Sequence, residues 1–557
     1  MIVVLARAPG GATATTLEDD GTIVDTESVD EIAEYIEFRE EDDHPRWVWD
    51  DTSRWYPELL AARVRVERCF DLRLCHVILR NSVLTASSAL ASTPPGPWDA
   101  APGPVVTQEP DGALFDLDDA RDDVAEGDTN PVAEFLLQRD AVAASAEPGR
   151  IGRLLAAESA GALIAAEMTF AGLPWNAGRH DEILAELLGP RPADSARPEK
   201  LQAVLETVRE LLEVPELNPD SPADLLKALG RAGIMATSTR SWELKKLEHP
   251  VIAPLLEYKK LARLLSANGW HWLDTWVIEG RFRPTYVPGG VVTGRWASDG
   301  GGALQLPKQV RGAVIADDGW KLVVADASQL EPRVLAGMAA DRAMAEAGAG
   351  DLYAGIVASG AVETRDQAKV AMLGAMYGAT TGESGRLMPK LARQYPKAIG
   401  LVEEAARAGE RGEIVTTTLG RSSPAPGASW REAQADAYGE NATDATQSRA
   451  RGAARSWGRF TRNFVVQGSA AEWALCWMAS LRKRLTALSG DAWLTDSPHL
   501  VFFLHDEVVV HAPAEVADRV ADEIRAAAVD AGRLLFGQLP ITFPLTVAIV
   551  DDYGQAK

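Results

Sequence analysis

The chain has 557 residues, 46% of them hydrophobic and 24% charged, with 56 Lys and Arg against 80 Asp and Glu for a formal net charge of −24. Such a composition excludes a fibrous or disordered protein, and the length leaves room for roughly three to four domain-sized cores. Three cysteines in no metal-ligand spacing (Cys69, Cys75 and Cys476) and eight scattered histidines argue against a disulfide framework or a structural zinc site, and fit a reduced, cytoplasmic setting.

Taken in chain order, residues 1–90 alternate short β-rich runs, at Ile2–Leu5 and Trp47–Trp49, with a helix-like segment at 68–81, which predicts a small α/β unit. No apolar run reaches the length of a membrane span, and the N-terminus lacks a basic, then apolar, leader, so a soluble protein with no membrane partner is expected. The Pro- and Gly-rich stretch 92–104, followed by an acidic run, reads as a loop or flexible insertion. From about residue 150 the pattern is mostly helical, as at 150–168, 199–213 and 254–265. Residues 320–329 read as a strand running into a turn, and 500–513 as a hairpin with a polar tip. There is no tandem repeat.

Much of the acidity sits at 18–27, 37–43 and 109–128, whereas 445–463 is basic. Nucleic-acid affinity depends on local rather than net charge, so the pattern predicts an acidic N-terminal part and a positive cleft in the remainder.

Three distant blocks fit one site. Asp326 closes the apolar run Leu322–Ala325, and His505-Asp506-Glu507 sits at the tip of the hairpin, 180 residues later. Each aspartate alone is equally a turn former. Together, two rigid strand ends could hold a metal pair at roughly 3.5–4 Å, with the oxygen donors that Mg²⁺ takes. Between them, Arg365, Lys369, Leu373 and Tyr377 recur every four residues, drifting by only about 40° per step around a helix. On its own that helix could be an amphipathic surface element with solvated charges. With the two aspartates it offers cations for a triphosphate, an apolar residue for the sugar and base, and an aromatic where a base pair could stack.

These blocks resemble motifs A, B and C of the family A DNA polymerases, the bacterial DNA polymerase I type: DASQLEPR at 326–333, RDQAKVAMLGAMYG at 365–378 and LHDE at 504–507. Residues 293–307 and 459–473 resemble two further segments of that family, in the same order. The resemblance implies that Asp326 and Asp506 bind two Mg²⁺ (Mn²⁺ a possible substitute), helped by the backbone carbonyl of Ala327, with Glu507 adjacent. It implies that Arg365 and Lys369 hold the triphosphate of an incoming dNTP, with Lys369 also catalytic, and that Leu373 and Tyr377 line the nucleotide. Glu331 would crowd the 2′ position of the sugar and exclude ribonucleotides. Arg295, Gln329, Arg459, Asn463 and Gln467 would contact primer or template, Gln329 also the nucleotide, and His505 would steady the primer end. Departures are Leu373, where the family usually has Phe or Tyr, Ala327, Pro332 and Tyr353; an altered sugar discrimination or a higher KM is expected from the first.

The N-terminal unit resembles the 3′–5′ exonuclease domain that often precedes this polymerase, yet the opening strand carries no carboxylate. Asp25-Thr-Glu27 is expected in a surface loop, Asp51 as a remnant of a second motif and Asp71 as structural. Proofreading is therefore expected to be lost. The implied fold class is α+β and multidomain: an α/β, RNase H-like exonuclease-like domain at 1–148, then a right-hand polymerase at 149–557. Its helical thumb would be about 149–290, its antiparallel-sheet palm about 291–340 and 456–557, and its helical fingers about 341–455. The expected function is template-directed dNTP addition to the primer of a primer–template DNA by a monomer, with flaps removed by a separate 5′-nuclease. A non-catalytic DNA-binding scaffold and a surviving nuclease are the alternatives.

Overall fold

The computed structural model describes residues 1–99, 129–193, 196–378, 382–439 and 442–556, so most of the expected insertion after Ser92 lies outside the described residues. The apolar opening run forms β1 (Ile2–Ala8), which turns at Pro9-Gly10 and pairs antiparallel with β2 (Gly11–Leu17) from Ile2↔Leu17 to Ala8↔Gly11. Gly10 has φ +84°, a conformation that a tight turn demands and that glycine adopts without steric cost. Outside β2 lies β3 (Ile23–Val29), while β4 (Arg46–Trp49) and β5 (Cys69–Asp71) add in parallel on the other side, giving the order β3-β2-β1-β4-β5. Val3 and Leu5 pack with Trp47, Trp49, Trp55 and Tyr56 into the core of this sheet.

Asp25 and Glu27 lie on β3, not in the loop that was expected. The segment was missed because Ile23 through Ser28 are exposed on both faces, so no apolar alternation marks the strand; pairing with β2, Thr15 opposite Thr26, defines it.

The helix Pro148–Ala171 corrects a second expectation: its 24 residues are long and apolar enough to cross a bilayer. In the fold most of that surface is buried against protein, and it carries the buried acids Glu158 and Glu167. Glu167 accepts from Tyr56 Oη (2.7 Å), Arg65 Nε (2.8 Å) and Arg482 Nη2 (2.7 Å). Burial works against its charge, but Arg482 and Arg65 hold its carboxyl well below the ordinary range. This network joins the helix Thr52–Ala61 to the long helix Asp444–Ser489, a single run of 46 residues.

The chain divides into two compact units: Met1–Ala171 with Thr285–Asp299 and Val323–Ala548, and Gly172–Pro284 with Gly300–Leu322 and Ile549–Lys557. Beside the N-terminal sheet, the first unit holds a four-stranded sheet in the spatial order His499–Leu504, Glu507–Pro513, Trp320–Ala327, Leu545–Val550. The helix Arg365–Tyr377 contributes Ala368, Ala371, Met372 and Met376 to a helical core shared with Phe464 and Val466 of the long helix.

The second unit is built on the helices Ala177–Leu188, Glu199–Leu212 and Ile252–Asn268. His180 is fully buried there among Trp175 and Trp272, taking a hydrogen bond from Trp175 Nε1 (3.2 Å) and donating to the Asn268 carbonyl (3.0 Å). That pattern fixes the neutral ring, and burial lowers its pKa to about 4 from 6.5. A lowered histidine favours the folded state fully above pH 6.5, and the advantage is lost as pH falls toward 4, because only the unfolded chain takes up the proton. Denaturant titrations between pH 7.5 and 4 are expected to show a loss of about 3 kcal/mol in this unit that His180→Gln lacks.

Candidate active site

The strand Trp320–Ala327 and the tip of the facing hairpin bring two acids together. The Ala327 N–H donates to the Asp506 carbonyl at 2.8 Å, so Asp326 and Asp506 occupy neighbouring strand ends. The turn is tight: Asp506 N–H bonds the Leu504 carbonyl at 2.8 Å, and His505 between them has φ +59°. A non-glycine residue at the centre of such a γ-turn is strained, and strain of this kind gathers at functional sites. The hairpin is pinned from behind by the buried Tyr286 hydroxyl, which accepts from Phe503 N and donates to Phe503 O, both at 3.1 Å. Tyr286 lies on the strand Thr285–Val287, whose partner Ala297–Asp299 follows the segment bearing Arg295.

A second cluster joins that segment to two helices. Glu331, in the first turn of the helix Leu330–Met338, receives Arg295 Nη2 on one carboxylate oxygen and the Tyr377 hydroxyl (2.7 Å) on the other. Burial and the Glu331 hydrogen bond push the Tyr377 phenol up to about 12, with nearby Gln467 working against the rise. Partial desolvation and then Arg295 lower the His505 imidazole, so the hairpin tip faces the same cation. Five expected site residues, Arg295, Glu331, Tyr377, Gln467 and His505, are therefore mutually arranged.

Gln329 and Arg365 meet elsewhere, on a residue that sequence reasoning passed over. Asp351 caps the helix Leu352–Ala358, accepts from Gln329 Nε2 (2.9 Å) and pairs with Arg365 Nη2 (2.8 Å), whose guanidinium also lies over the Tyr353 ring. An aspartate opening the helix at 352 was the available signal. Lys369 is exposed one turn along, and Leu373 is half-buried against the helical core. Asn463 has a buried Oδ1 with no hydrogen-bond partner among the described residues, and the Arg459 side chain fills the space beside Gly378, where a Cβ would meet its Cγ at 2.8 Å.

Glu507 is only 2% exposed, and among the described residues no three His, Cys, Asp or Glu side chains form a metal-holding set. It does not complete such a set with Asp326 and Asp506. Two carboxylates at adjacent strand ends are still hard oxygen donors of the kind Mg²⁺ and Mn²⁺ accept, with the remaining positions left for water and phosphate.

Also missed was a buried acid pair. Glu472 accepts from Leu419 N (2.7 Å) and the Thr417 hydroxyl, while Glu158 receives Arg421. Burial pushes Glu472 up to about 7.

Curated relatives include the thermostable DNA polymerase I of Thermus thermophilus, 25% identical over 369 residues, covering 60% of this chain and 40% of the relative. DNA polymerase I of Chloroflexus aurantiacus is 27% identical over 341 residues, covering 56% of this chain and 33% of the relative. The chain thus spans well under half the length of these relatives. Among solved structures, the POL domain of Pol1 from M. smegmatis, in complex with DNA primer-template and dNTP, has the same fold, with a TM-score of 0.66 at 18% identity over 100% of this chain and 95% of that one. The family model described as DNA polymerase family A matches residues 193–551, and with more than half of its length so matched the chain belongs to that family.

Proposed function

We propose that the protein is a template-directed DNA polymerase that adds dNTPs to a primer 3′-hydroxyl and releases pyrophosphate. The observation that carries this reading is the convergence of Arg295, Glu331 and Tyr377, from three separate segments, beside the hairpin that bears Asp506. In this reading the four-stranded sheet is the palm, the helices from Leu352 to the start of the long helix are the fingers, and the second unit contributes the thumb. The relatives and the neighbouring complex support primer–template DNA and dNTP as partners.

The exposed Lys369 meets the charge of the triphosphate, and Arg365 joins it by exchanging Asp351 for phosphate. Glu331, held on both oxygens, cannot swing away, so its carboxylate fills the space where a 2′-hydroxyl would sit. Gln467 and Asn463 reach the minor-groove side of the new pair, where acceptors are nearly independent of sequence. Mg²⁺ bound by Asp326, Asp506 and the Ala327 carbonyl would neutralise charge on the reacting phosphate.

The strand order of the N-terminal sheet supports an RNase H-like, exonuclease-like domain, and its carboxylates support lost proofreading. β1 carries none. Asp51 and Asp71 serve as helix caps, accepting from Ser53 N (2.9 Å) and Leu74 N (2.9 Å). The cytoplasmic setting, the monomer and a separate 5′-nuclease belong to the same proposal.

Primer extension on a labelled primer–template tests it, with one lane lacking dNTPs. Templated extension with no primer shortening is expected, and Glu331→Ala is expected to raise ribonucleotide use by roughly 10- to 200-fold, the range for recognising one small group sterically. Absence of extension in both Mg²⁺ and Mn²⁺ would sink the reading, and shortening without dNTPs would overturn the lost proofreading.

A further inference from the structure

We infer that Arg451 and Arg455 extend the DNA-binding ridge of the long helix by two turns and hold the phosphates of the unpaired template strand. The inference rests on the polymerase reading. Arg451, Arg455, Arg459, Asn463 and Gln467 stand four residues apart on the helix Asp444–Ser489, so they form one ridge that winds by about 40° per step around the axis, Arg451 and Arg455 being the two steps next to Arg459. Its lower end lies at the site: Arg459 packs at Gly378, the residue after Tyr377. Its upper end runs on past that point, about 6 Å per step along the axis.

The upper ridge has the properties of an anion-binding surface. Arg451, Arg455 and Arg459 are all exposed, and among the described residues none has an ion pair or a side-chain hydrogen bond. Between Asp444 and Glu472 the sequence holds five arginines and no acid, in a chain whose net charge is −24. Like charges four residues apart repel along a helix and weaken it unless a counter-charge is bound. The neighbouring arginines show what partnered ones look like here: Arg462 donates to the Ala375 carbonyl at 2.9 Å, and Arg449 lies 3.8 Å from Asp436. A guanidinium without a protein partner presents its donor fork to phosphate, which positions a strand without reading its bases. Tyr377 marks the place of the newest base pair in the proposed function. A strand continuing along the ridge beyond Gly378 is therefore template that has not yet paired.

Binding of the full chain to a labelled primer–template with a long 5′ template overhang, and to a blunt duplex of the same sequence, is measured by anisotropy across a salt series. R451Q/R455Q is compared with wild type and with R451K/R455K, which keeps the charge. The double Gln variant is expected to lower the log–log salt slope on the overhang substrate by about 1.4, two phosphates at ~0.7 each, and to weaken that binding roughly tenfold near 0.15 M salt. The Lys variant should hold the slope, and blunt-duplex binding should not change. An unchanged slope on the overhang substrate overturns the inference, and so does an equal loss on both substrates, which would make the ridge a duplex contact. Binding needs no catalysis, so the two readings fail separately. Normal primer extension with an unchanged slope removes only the ridge, whereas a reduced overhang slope without extension removes the polymerase.

Discussion

Asp326→Asn is expected to lower templated incorporation by roughly 10²–10³-fold or more in kcat, the cost of removing one preorganised electrostatic stabiliser, while primer–template affinity stays within a few-fold. The substitution keeps shape and removes charge. Asp326 is half-buried at the end of a strand whose preceding residues, Leu322 to Ala325, are buried apolar groups that anchor the strand. Its neighbour across the Ala327–Asp506 hydrogen bond is the only other carboxylate assigned to the metals, and Glu507 is turned into the protein. Glu331 is held by Arg295 and Tyr377 and Glu507 is buried, so neither replaces the lost carboxylate, which is why the expected loss is large. Single-turnover extension, with binding measured in parallel, checks it. Incorporation within tenfold of wild type would remove Asp326 from the reaction.

The second large effect is on stability. Glu167→Leu is expected to destabilise the first unit by about 3–5 kcal/mol, because it leaves Arg482 and Arg65 facing a buried site without their counter-charge. Glu167 is 5% exposed and Arg482 8%, so water offers little relief. Pairing it with Arg482→Met should return much of the loss, since an apolar pair of similar volume is often tolerated where a lone buried charge is not. Denaturant unfolding of the single and double variants measures this. A single-variant loss below about 1 kcal/mol would mean that the network is solvated in solution.

What could be read in advance follows from how local each signal is. Asp326, the row from Arg365 to Tyr377, and the hairpin at 505–507 were legible because each sits in one element whose period is set by its own neighbours. The hydrogen bonds that join these elements were not. Glu331 reaching both Arg295 and Tyr377 depends on three segments meeting, and Asp351 holding Gln329 and Arg365 depends on a helix cap that looks ordinary in sequence. β3 was hidden because an edge strand exposed on both faces has no alternation to show. The helix Pro148–Ala171 misled in the other direction: its length matches a bilayer, yet its apolar surface is spent on the interior of this unit. The acids Glu158, Glu167 and Glu472 were invisible as a group, since only folding brings their partners Arg421, Arg482, Arg65 and Thr417 to them.

The long helix has a mechanical consequence. At 46 residues it is about 69 Å of uninterrupted rod, held at one end where Arg482 is locked to Glu167 and Tyr56, in the middle where Thr461 donates to the Ala405 carbonyl and Phe464 is buried, and toward the other end where Gln434 donates to the Ala450 carbonyl. Braced at three stations, the rod cannot tilt about one of them without breaking the bonds at the others. Residues on it therefore keep their spacing and direction over about 48 Å, from Ala450 to Arg482. The N-terminal segment that supplies Tyr56 and Arg65 is one of those braces, and its stiffness sets how accurately the rest of the rod can be aimed.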